Sequence, residues 1–291
     1  LSSGCKRGYK MQIGIRALDE SLSLQKKKHP LIHCISNSVS AKDLAQGILC
    51  YNGNPIVANS TEEAPDVTSK CDCLLINLED LNGAIVETME KSIRVARRKG
   101  IPIVLDITGV NFSFFRKEIA LRFINRYNIN VVKGKLEEFK VLIQSDDKLK
   151  SNDFTLSKVK ENIEVRVSLR SFSKRYNIIV VVQYEDYYLT DGFSEFYLEG
   201  DQERFNNILG IEVILCGLIS VGVASASNNE QIFRAVLVAI MTIAVSEKTA
   251  VQKNLEPEKK IWLKEYLLDE IENINADKLN RLAKVEYSFV R

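Results

Sequence analysis

The stretch Gly100–Asn111, "GIPIVLDITGVN", indicates the fold class of this 291-residue chain. Gly100 closes a long amphipathic segment, and glycine is the residue that most often follows the last turn of a helix. Pro102 then stands at the head of a run of large aliphatic residues, which is typical of a strand buried on both faces of a parallel sheet. Asp106 ends that run. The stretch therefore predicts a helix, a buried strand and a polar turn in succession.

Similar units lie on both sides of this stretch. The predicted strands are 31–36, 55–58, 73–78, 101–107, 130–134 and 178–183, with a hairpin across Asp191–Gly192. The predicted helices are 41–51, 60–69, 82–99, 114–127, 136–144, 208–226, 230–250 and 259–273. Strands that alternate with helices form a mostly parallel central sheet covered by helices on both faces. The predicted class is therefore α/β.

No linker, repeat or low-complexity tract divides the chain, so we predict one domain over residues 1–291. Within it, residues 1–29 are predicted as an N-terminal extension with the first helix. The charged segment 145–175 is predicted as a surface insertion, a loop followed by a helix. The tail 284–291 has no pattern that favours a helix or a strand.

Composition excludes several kinds of protein. The formal charge is only +2, which argues against a surface dedicated to nucleic acid or to an anionic membrane. Six scattered cysteines and two histidines do not form a zinc-binding pattern. Four of the cysteines have apolar neighbours, as buried thiols of a reducing compartment do. The first residues, "LSSGCKRGYK", lack the apolar stretch of a secretory signal, and we expect a cytoplasmic protein.

The apolar segment 208–226 has about the minimum length of a membrane-spanning helix. It contains Glu212 near one end and many small residues, and neither a positive cluster nor an aromatic belt flanks it. A buried helix is therefore the preferred interpretation, and no membrane partner is expected.

Ligands of parallel sheets bind at the carboxyl ends of the strands. The polar residues predicted to lie there are Asn37, Asn59, Asn77, Asp106 and 133–138, together with the helix start at Gly210. From position alone, Asp106 either supports Mg²⁺ and a phosphate-bearing ligand or caps the following loop. Capping is the favoured role for Glu138 and for Asn37.

The stretch 206–217, "NNILGIEVILCG", predicts a glycine that leads into a buried helix. Such a helix start is a frequent anion site, because its backbone N–H groups and its dipole attract negative charge. Glu212 in the first turn is out of place there. No Walker loop, dinucleotide fingerprint or nucleophile elbow occurs in the chain.

Four motifs together resemble one known family. They are "PLIHCISNSVSAKDLAQGILCYNGNPIVANSTEEAPD", "NLEDLN", "GIPIVLDITGVN" and "VVKGKLEEFKVL". Their order and spacing resemble those of the hydroxyethylthiazole kinases of thiamine salvage, whose counterparts include HCITN-x-V, SPIMA, N-x-G-T-L, G-x-PVVLDPVG and V-x-RGN-x-x-E. The similarity runs from about residue 30 to residue 144 and is weaker up to about residue 250.

The resemblance implies a ribokinase-like fold and typically a homotrimer with active sites between subunits. It implies transfer of the γ-phosphate of ATP, with Mg²⁺, to the hydroxyl of 4-methyl-5-(2-hydroxyethyl)thiazole. The residues that it assigns to the thiazole pocket are Asn37, Val39, Pro55 and Ile56. It places Asp106 and Glu138 near the metal and the phosphates, and Lys133 where the family has a phosphate-binding arginine.

The chain departs from the family pattern around the nucleotide. R-G-N is replaced by Lys133-Gly134-Lys135, which exchanges a bidentate guanidinium for a point charge. Thr-Gly after the nucleotide-side strand is replaced by Gln183-Tyr184, D-P-V-G-x-G by "DITGVN", and the late G-P-G-S-F by "NLEPEKK". The phosphate-holding G-T-G-C is replaced by 210–213, "GIEV", and keeps only Gly210 as the substrate-side glycine.

Losing one donor of an anion-binding corner can lower a rate roughly 10²–10³-fold. Two residues could compensate: Glu212, turned inward as a base, or Cys216, one turn beyond Val213, as a thiol on the same face. Three hypotheses follow. The chain is a divergent thiazole kinase, a kinase for another small alcohol or phosphate donor, or a weak or inactive paralogue that binds a small molecule or a partner. We expect weak ATP binding.

Overall fold

Both ends of the chain contribute strands to the same sheet in the computed structural model. The structure describes residues 9–10, 14–145, 159–184, 186–205, 208, 210–254 and 262–289. The strands are β1 Tyr9–Lys10, β2 Leu31–Ile35, β3 Asn54–Val57, β4 Cys73–Asn77, β5 Ile103–Asp106, β6 Val131–Gly134, β7 Ile179–Gln183, β8 Tyr187–Thr190, β9 Ser194–Leu198 and β10 Val285–Phe289. The helices are α1 Ile15–Lys28, α2 Ser38–Cys50, α3 Ala64–Thr68, α4 Gly83–Lys99, α5 Phe114–Arg126, α6 Leu136–Gln144, α7 Ile163–Tyr176, α8 Gln202–Phe205, α9 Ile211–Ser225, α10 Asn229–Lys253, α11 Leu263–Glu272 and α12 Ala276–Leu282.

The order of strands across the sheet is β1-β10-β9-β8-β7-β6-β5-β4-β2-β3. The six strands from β7 to β3 run parallel. The pairs β7–β8, β8–β9, β9–β10 and β10–β1 are antiparallel. The prediction of an α/β fold with a mostly parallel sheet is confirmed.

The stretch Gly100–Asn111 forms the predicted unit. The side chain of Asn82 accepts a hydrogen bond from the backbone N–H of Ile85 and caps the start of α4. Gly100 follows the helix with a φ of 68°, a left-handed conformation that glycine adopts without a steric penalty. All four residues of β5 are buried. A helix cap, a glycine stop and an apolar run thus place Asp106 at the carboxyl end of a central strand.

Helices cover both faces of the sheet, so that each central strand is buried on both sides. Cys73 and Leu75 of β4 belong to one core, which also contains residues of α1, α2, α9 and α10. Leu74 and Ile76 belong to the other core, with residues of α4, α5, α6 and α7. Successive side chains of a strand point to opposite faces. Burial on both faces therefore explains the unbroken apolar run of β4.

Helix α9 lies inside one of these cores. Every residue of it except Glu212 is buried. Among the residues that the structure describes, no helix is both long enough and apolar enough to cross a membrane.

The helix predicted in the second half of 145–175 is present, but its placement on the surface needs correction. Residues 146–158 lie outside the described residues. Residues 163–176 form α7, and Val165, Leu169 and Phe172 on one face of that helix are buried in the core. The high content of charged residues concealed this stripe, which has the spacing of an amphipathic helix that packs against a sheet.

Two elements near the C-terminus were not expected from sequence. Residues 276–282 form α12, and the unassigned tail forms β10, which pairs with β9 on one side and with β1 on the other. The predicted hairpin across Asp191–Gly192 is confirmed, with Thr190 opposite Glu195. The helix predicted at 60–69 is shorter than expected, Ala64–Thr68. That the whole chain forms a single domain stays a prediction.

Candidate active site at the carboxyl edge of the sheet

Three polar side chains meet at the carboxyl ends of β4, β5 and β6. Asn77 is in register with Asp106, and Asp106 is in register with Lys133. All three are buried. Lys133 Nζ lies 3.5 Å from Asp106 Oδ2, and Asn77 Nδ2 donates a hydrogen bond to the same oxygen at 3.3 Å. The parallel arrangement thus joins residues that are distant in the chain into a single polar cluster.

Asp106 has the most contacts in this cluster. Its Oδ1 accepts hydrogen bonds from the backbone N–H of Thr108 at 3.2 Å and from the Thr108 hydroxyl at 2.7 Å. Its Oδ2 faces Lys133, Asn77 and the Cys216 thiol. The side chain therefore caps the loop after β5, which is one of the two interpretations of its position, and also pairs with a buried cation. Its role toward Mg²⁺ and a phosphate-bearing ligand stays a prediction.

Lys133 is a fully buried ammonium group. Burial is the largest single effect and would lower the pKa of Lys133, but the acidic groups around it, Asp106 foremost, together more than offset that effect. The pKa of Lys133 consequently lies above its ordinary value of 10.5. The cation remains charged inside the protein because a carboxylate accompanies it.

Glu138 connects the loop after β5 with the start of α6. Its Oε1 accepts a hydrogen bond from Gly109 N at 2.6 Å, and its Oε2 accepts one from Lys135 N at 2.7 Å. Burial raises the pKa of Glu138 to about 7, and the charge of Asp106 acts in the same direction against the two backbone hydrogen bonds and Lys133. This carboxyl group therefore titrates near neutral pH.

Gly210 sits directly before α9 with a φ of 86°. A Cβ at this position would collide with the carboxylate of Asp43, a buried residue of α2. Asp43 in turn forms an ion pair with Lys264 of α11. Glycine is required here both by the backbone conformation and by the neighbouring helix.

Glu212 does not turn into the site, contrary to one of the two compensations considered from sequence. Its Oε1 lies 2.5 Å from Lys135 Nζ, and both side chains are 44% exposed. Its backbone carbonyl accepts a hydrogen bond from Lys133 Nζ at 3.0 Å. The carboxylate points outward because Lys135 offers a cation on the solvent side of the helix start.

Cys216 does reach the cluster, one turn further along α9. Its Sγ donates a hydrogen bond to Asp106 Oδ2 at 3.2 Å. Burial raises the pKa of the Cys216 thiol well above its ordinary value, and the charge of Asp106 adds to this, while Lys133 opposes it. The group is therefore a neutral donor that holds Asp106 in place. A direct role of Cys216 in the reaction stays a prediction.

Asn37 is connected to this cluster by a chain of hydrogen bonds. Its Oδ1 accepts from Ser40 N at 2.7 Å and caps α2, as predicted. Its Nδ2 donates to Glu79 Oε2 at 2.8 Å. The backbone N–H of Glu79 donates to Asn77 Oδ1 at 2.7 Å, and Asn77 reaches Asp106. Asn37, one of the predicted substrate residues, is therefore linked through Glu79 and Asn77 to Asp106.

Four further predicted site residues occupy other positions on the helices and strands. Val39, in the first turn of α2, is 57% exposed. Pro55 and Ile56 lie on β3, the last strand of the described sheet, opposite Ile32 and His33 in the middle of β2 rather than at its carboxyl end. Gln183 is buried at the end of β7, one strand beyond Lys133. Their binding roles stay predictions.

The donor set suits a hard cation that arrives together with a phosphate ligand. Asp106 and Glu138 offer carboxylate oxygens, the ligands that Mg²⁺ prefers, and Mg²⁺ commonly uses one or two carboxylates together with substrate phosphates. Within the described ranges no group of three histidine, cysteine or acidic side chains could hold a metal ion by itself. A buried ammonium, two carboxyl groups and a helix start together can bind and orient a phosphorylated ligand.

Comparison with known proteins decides the family. A model of the hydroxyethylthiazole kinase family matches residues 22–277, a range that includes every residue of the site. The chain belongs to this family.

Relatives that carry the family name support this assignment. The hydroxyethylthiazole kinase of Clostridium perfringens is 29% identical over 266 residues, which are 91% of this chain and 100% of that protein. The one of Finegoldia magna is 32% identical over 167 residues, 57% of this chain and 61% of that protein.

Solved structures confirm the ribokinase-like fold. The structure of the hydroxyethylthiazole kinase protein from Pyrococcus horikoshii OT3 has a TM-score of 0.82 at 23% identity and covers 94% of this chain and 99% of its own. The ribokinase-like superfamily protein of Enterococcus faecalis has a TM-score of 0.55 at 10% identity, with coverage of 89% and 95%.

The sequence of this hydroxyethylthiazole kinase family member did not indicate several residues of the candidate site. Glu79 stands where the family pattern N-x-G-T-L has a glycine, and that difference was the available signal for it. Asp43 lies within an amphipathic helix, and no local pattern marks it as a neighbour of Gly210. The contact of Thr108 with Asp106 and the ion pair of Lys135 with Glu212 were equally hidden. Both contacts depend on how the loops fold back on the edge of the sheet.

Proposed function

We propose that this chain transfers the γ-phosphate of ATP to the hydroxyl of 4-methyl-5-(2-hydroxyethyl)thiazole in thiamine salvage. The observation that carries the proposal is the buried Asp106–Lys133 pair beside the start of α9, in a chain that belongs to the hydroxyethylthiazole kinase family. Phosphoryl transfer depends on positioning the reactants and on neutralising charge rather than on covalent chemistry. A fixed cation next to a helix N-terminus meets both needs.

Each element of the cluster has a part in this proposal. Lys133 and the backbone amides at the start of α9 bind phosphate oxygens, and Gly210 allows close approach of the backbone. Asp106 and Glu138 would hold Mg²⁺, which when bound neutralises charge on the phosphates. Cys216 keeps Asp106 oriented. Gln183, at the end of the next strand, contributes to the nucleotide side.

The alcohol substrate binds on the other side of this edge. Asn37, Val39, Pro55 and Ile56 form its pocket in the proposal. Glu79 fixes the orientation of Asn37 through the 2.8 Å hydrogen bond.

We further propose that the protein is a homotrimer with sites between subunits. The support is the family resemblance and the exposure of apolar side chains on the site side of the sheet: Val39 is 57%, Phe112 86% and Phe114 72% exposed. Sedimentation velocity should give three times the chain mass, and a monomer would contradict this proposal.

A cytoplasmic location is part of the proposal. Its support is that Cys34, Cys73 and Cys216 are buried free thiols, which suits a reducing compartment.

Calorimetry with ATP–Mg²⁺ and with the thiazole alcohol in separate titrations, followed by mass spectrometry of the reaction product, tests the activity. We expect both to bind, ATP weakly, and the phosphate ester to accumulate. Binding of ATP without phosphorylation of the thiazole alcohol would indicate another small alcohol. No binding of ATP at millimolar concentration would contradict the activity and favour a non-catalytic paralogue.

A further inference from the structure

Two departures from the family pattern meet in space. Lys135 stands where the pattern R-G-N has asparagine, and Glu212 stands where G-T-G-C has its second glycine. The first residue follows β6 and the second opens α9. Their side chains form an ion pair, with Lys135 Nζ 2.5 Å from Glu212 Oε1.

The Lys135–Glu212 pair bears directly on the charge near the helix start. An unpaired glutamate in the first turn of α9 would repel a phosphate, since two like charges a few ångströms apart interact by several kcal/mol near a protein surface. Here the carboxylate faces Lys135 and solvent. The backbone carbonyl of Glu212 accepts a hydrogen bond from Lys133, which lies two residues before Lys135 in the chain. Glu212 is therefore held by both lysines of the 133–135 segment.

The Asp106–Lys133 pair already balances its own charges. Without Lys135, the carboxylate of Glu212 would add one unpaired negative charge at the helix start.

We infer that Lys135 is a positioning residue for nucleotide binding: its ammonium neutralises Glu212 and holds it away from the phosphates, so that the start of α9 still attracts an anion. This inference rests on the proposed function. It explains how a glutamate can occupy a turn that receives phosphate.

If the Lys135–Glu212 pair had a purely structural role, its removal would change the stability of the fold. Both side chains are 44% exposed, and ion pairs at such positions contribute little to folding stability. Removing either partner should therefore leave the unfolding temperature nearly unchanged. The change should be found in the affinity for ATP.

Four proteins test the inference: the wild type, Lys135→Asn, Glu212→Gln and the double variant. Isothermal calorimetry with ATP–Mg²⁺ in the absence of the thiazole alcohol measures affinity at low and at high salt. We expect Lys135→Asn to bind at least about 10-fold more weakly at low salt, with a smaller difference at high salt. Glu212→Gln should bind as well as the wild type or better, and the double variant should return to within about 3-fold of the wild type.

Lys140→Asn, which removes a lysine further along α6, is the matched control and should bind like the wild type. Two results would overturn the inference. One is a Lys135→Asn variant that binds ATP like the wild type. The other is a double variant as weak as Lys135→Asn alone, because Lys135 would then contact the phosphate itself.

The failure of the proposed function looks different. A wild type that binds ATP but makes no thiazole phosphate contradicts the substrate and leaves this comparison valid. A wild type that binds no ATP contradicts both proposals.

Discussion

At the scale of single residues, the site depends on charges that are buried in pairs. Asp106 and Lys133 are almost completely excluded from solvent and lie 3.5 Å apart. A buried ion pair adds little stability when complete, because desolvation offsets the attraction, but it is costly to break on one side. Removing either partner of such a pair should therefore lower the free energy of unfolding strongly.

Replacing Asp106 with asparagine should damage stability and activity together. The change leaves the Lys133 ammonium buried without its carboxylate, and we expect the free energy of unfolding to fall by about 3–5 kcal/mol. Phosphorylation should fall by more than about 100-fold, because in the proposed function this cluster positions both the phosphate and the metal. Urea unfolding and a product assay measure the two effects.

Glu87→Gln is the matched control for that variant. Glu87 pairs with Lys91 one turn along α4, and both side chains are largely exposed. Its removal should change stability very little, since exposed pairs contribute little. Equal losses in Asp106→Asn and Glu87→Gln would refute the importance of the buried pair.

At the scale of elements, the start of α9 is defined by its contact with α2. Gly210 has a φ of 86°, and Asp43 of α2 occupies the space that a side chain would need. The glycine thus fixes both the direction in which the chain enters the helix and the distance between two helices. The amides of the first turn keep their position for the same reason.

Gly210→Ala should therefore destabilise the protein, by about 2–4 kcal/mol, since a left-handed conformation and a steric clash act together. ATP affinity should fall as well. Gly83→Ala is the control, because Gly83 opens α4 with nothing near the position of a Cβ. Alanine at Gly83 should be neutral or slightly stabilising. Denaturant unfolding of both variants checks the pair, and an equal effect would contradict the role of Asp43.

Helix α10 carries a buried acid that should make stability depend on pH. Glu247 Oε1 accepts a hydrogen bond from Tyr187 OH at 2.6 Å, and Oε2 accepts one from Asp201 N at 3.2 Å. Burial raises the pKa of Glu247 from 4.5 to about 7, against the effect of these two hydrogen bonds. The folded chain consequently holds this proton more tightly than the unfolded chain.

The stabilising contribution of protonated Glu247 should be complete below about pH 4.5 and lost as the pH rises through about 7. Its full size is roughly 3 kcal/mol. The Glu247→Gln variant lacks this pH-dependent contribution to stability, because glutamine does not titrate. The difference in free energy of unfolding between wild type and variant should therefore decline by roughly 2–3 kcal/mol from about pH 5 to about pH 8. A difference that does not vary with pH would disprove the assignment.

At the scale of the whole molecule, the two ends of the chain complete one side of the sheet. Strand β10 lies between β9 and β1, so that the last part of the chain protects an edge that would otherwise be open. Open strand edges expose unpaired backbone groups and promote association.

Removing residues 284–291 should lower the unfolding temperature and produce soluble aggregates in size-exclusion chromatography. Removing only residues 290–291, which follow β10, is the control and should leave both properties unchanged. If the longer deletion behaves like the shorter one, β10 does not protect the sheet.

Much of the fold could be predicted because local pattern determines local structure. Cap residues, glycine stops and apolar runs located the parallel strands and most helices, and α6 has the predicted bounds 136–144. The position of Asp106 at a strand end followed from the same rules. The stripe of α7 and the strand β10 were missed, because charged neighbours hid the one and the other depends on a partner at the far end of the chain.

The sequence by itself determined the class of the fold, the edge of the sheet where the candidate site lies and the family to which the chain belongs. Only the tertiary structure decided how the charges at that edge are paired. Glu212 was expected to disturb a phosphate site, and in the structure its carboxylate forms an ion pair with Lys135 instead of turning inward. The reason is physical: periodicity is encoded within a few residues, whereas the effect of a charge depends on its nearest neighbours in space, which the folded chain supplies from distant segments.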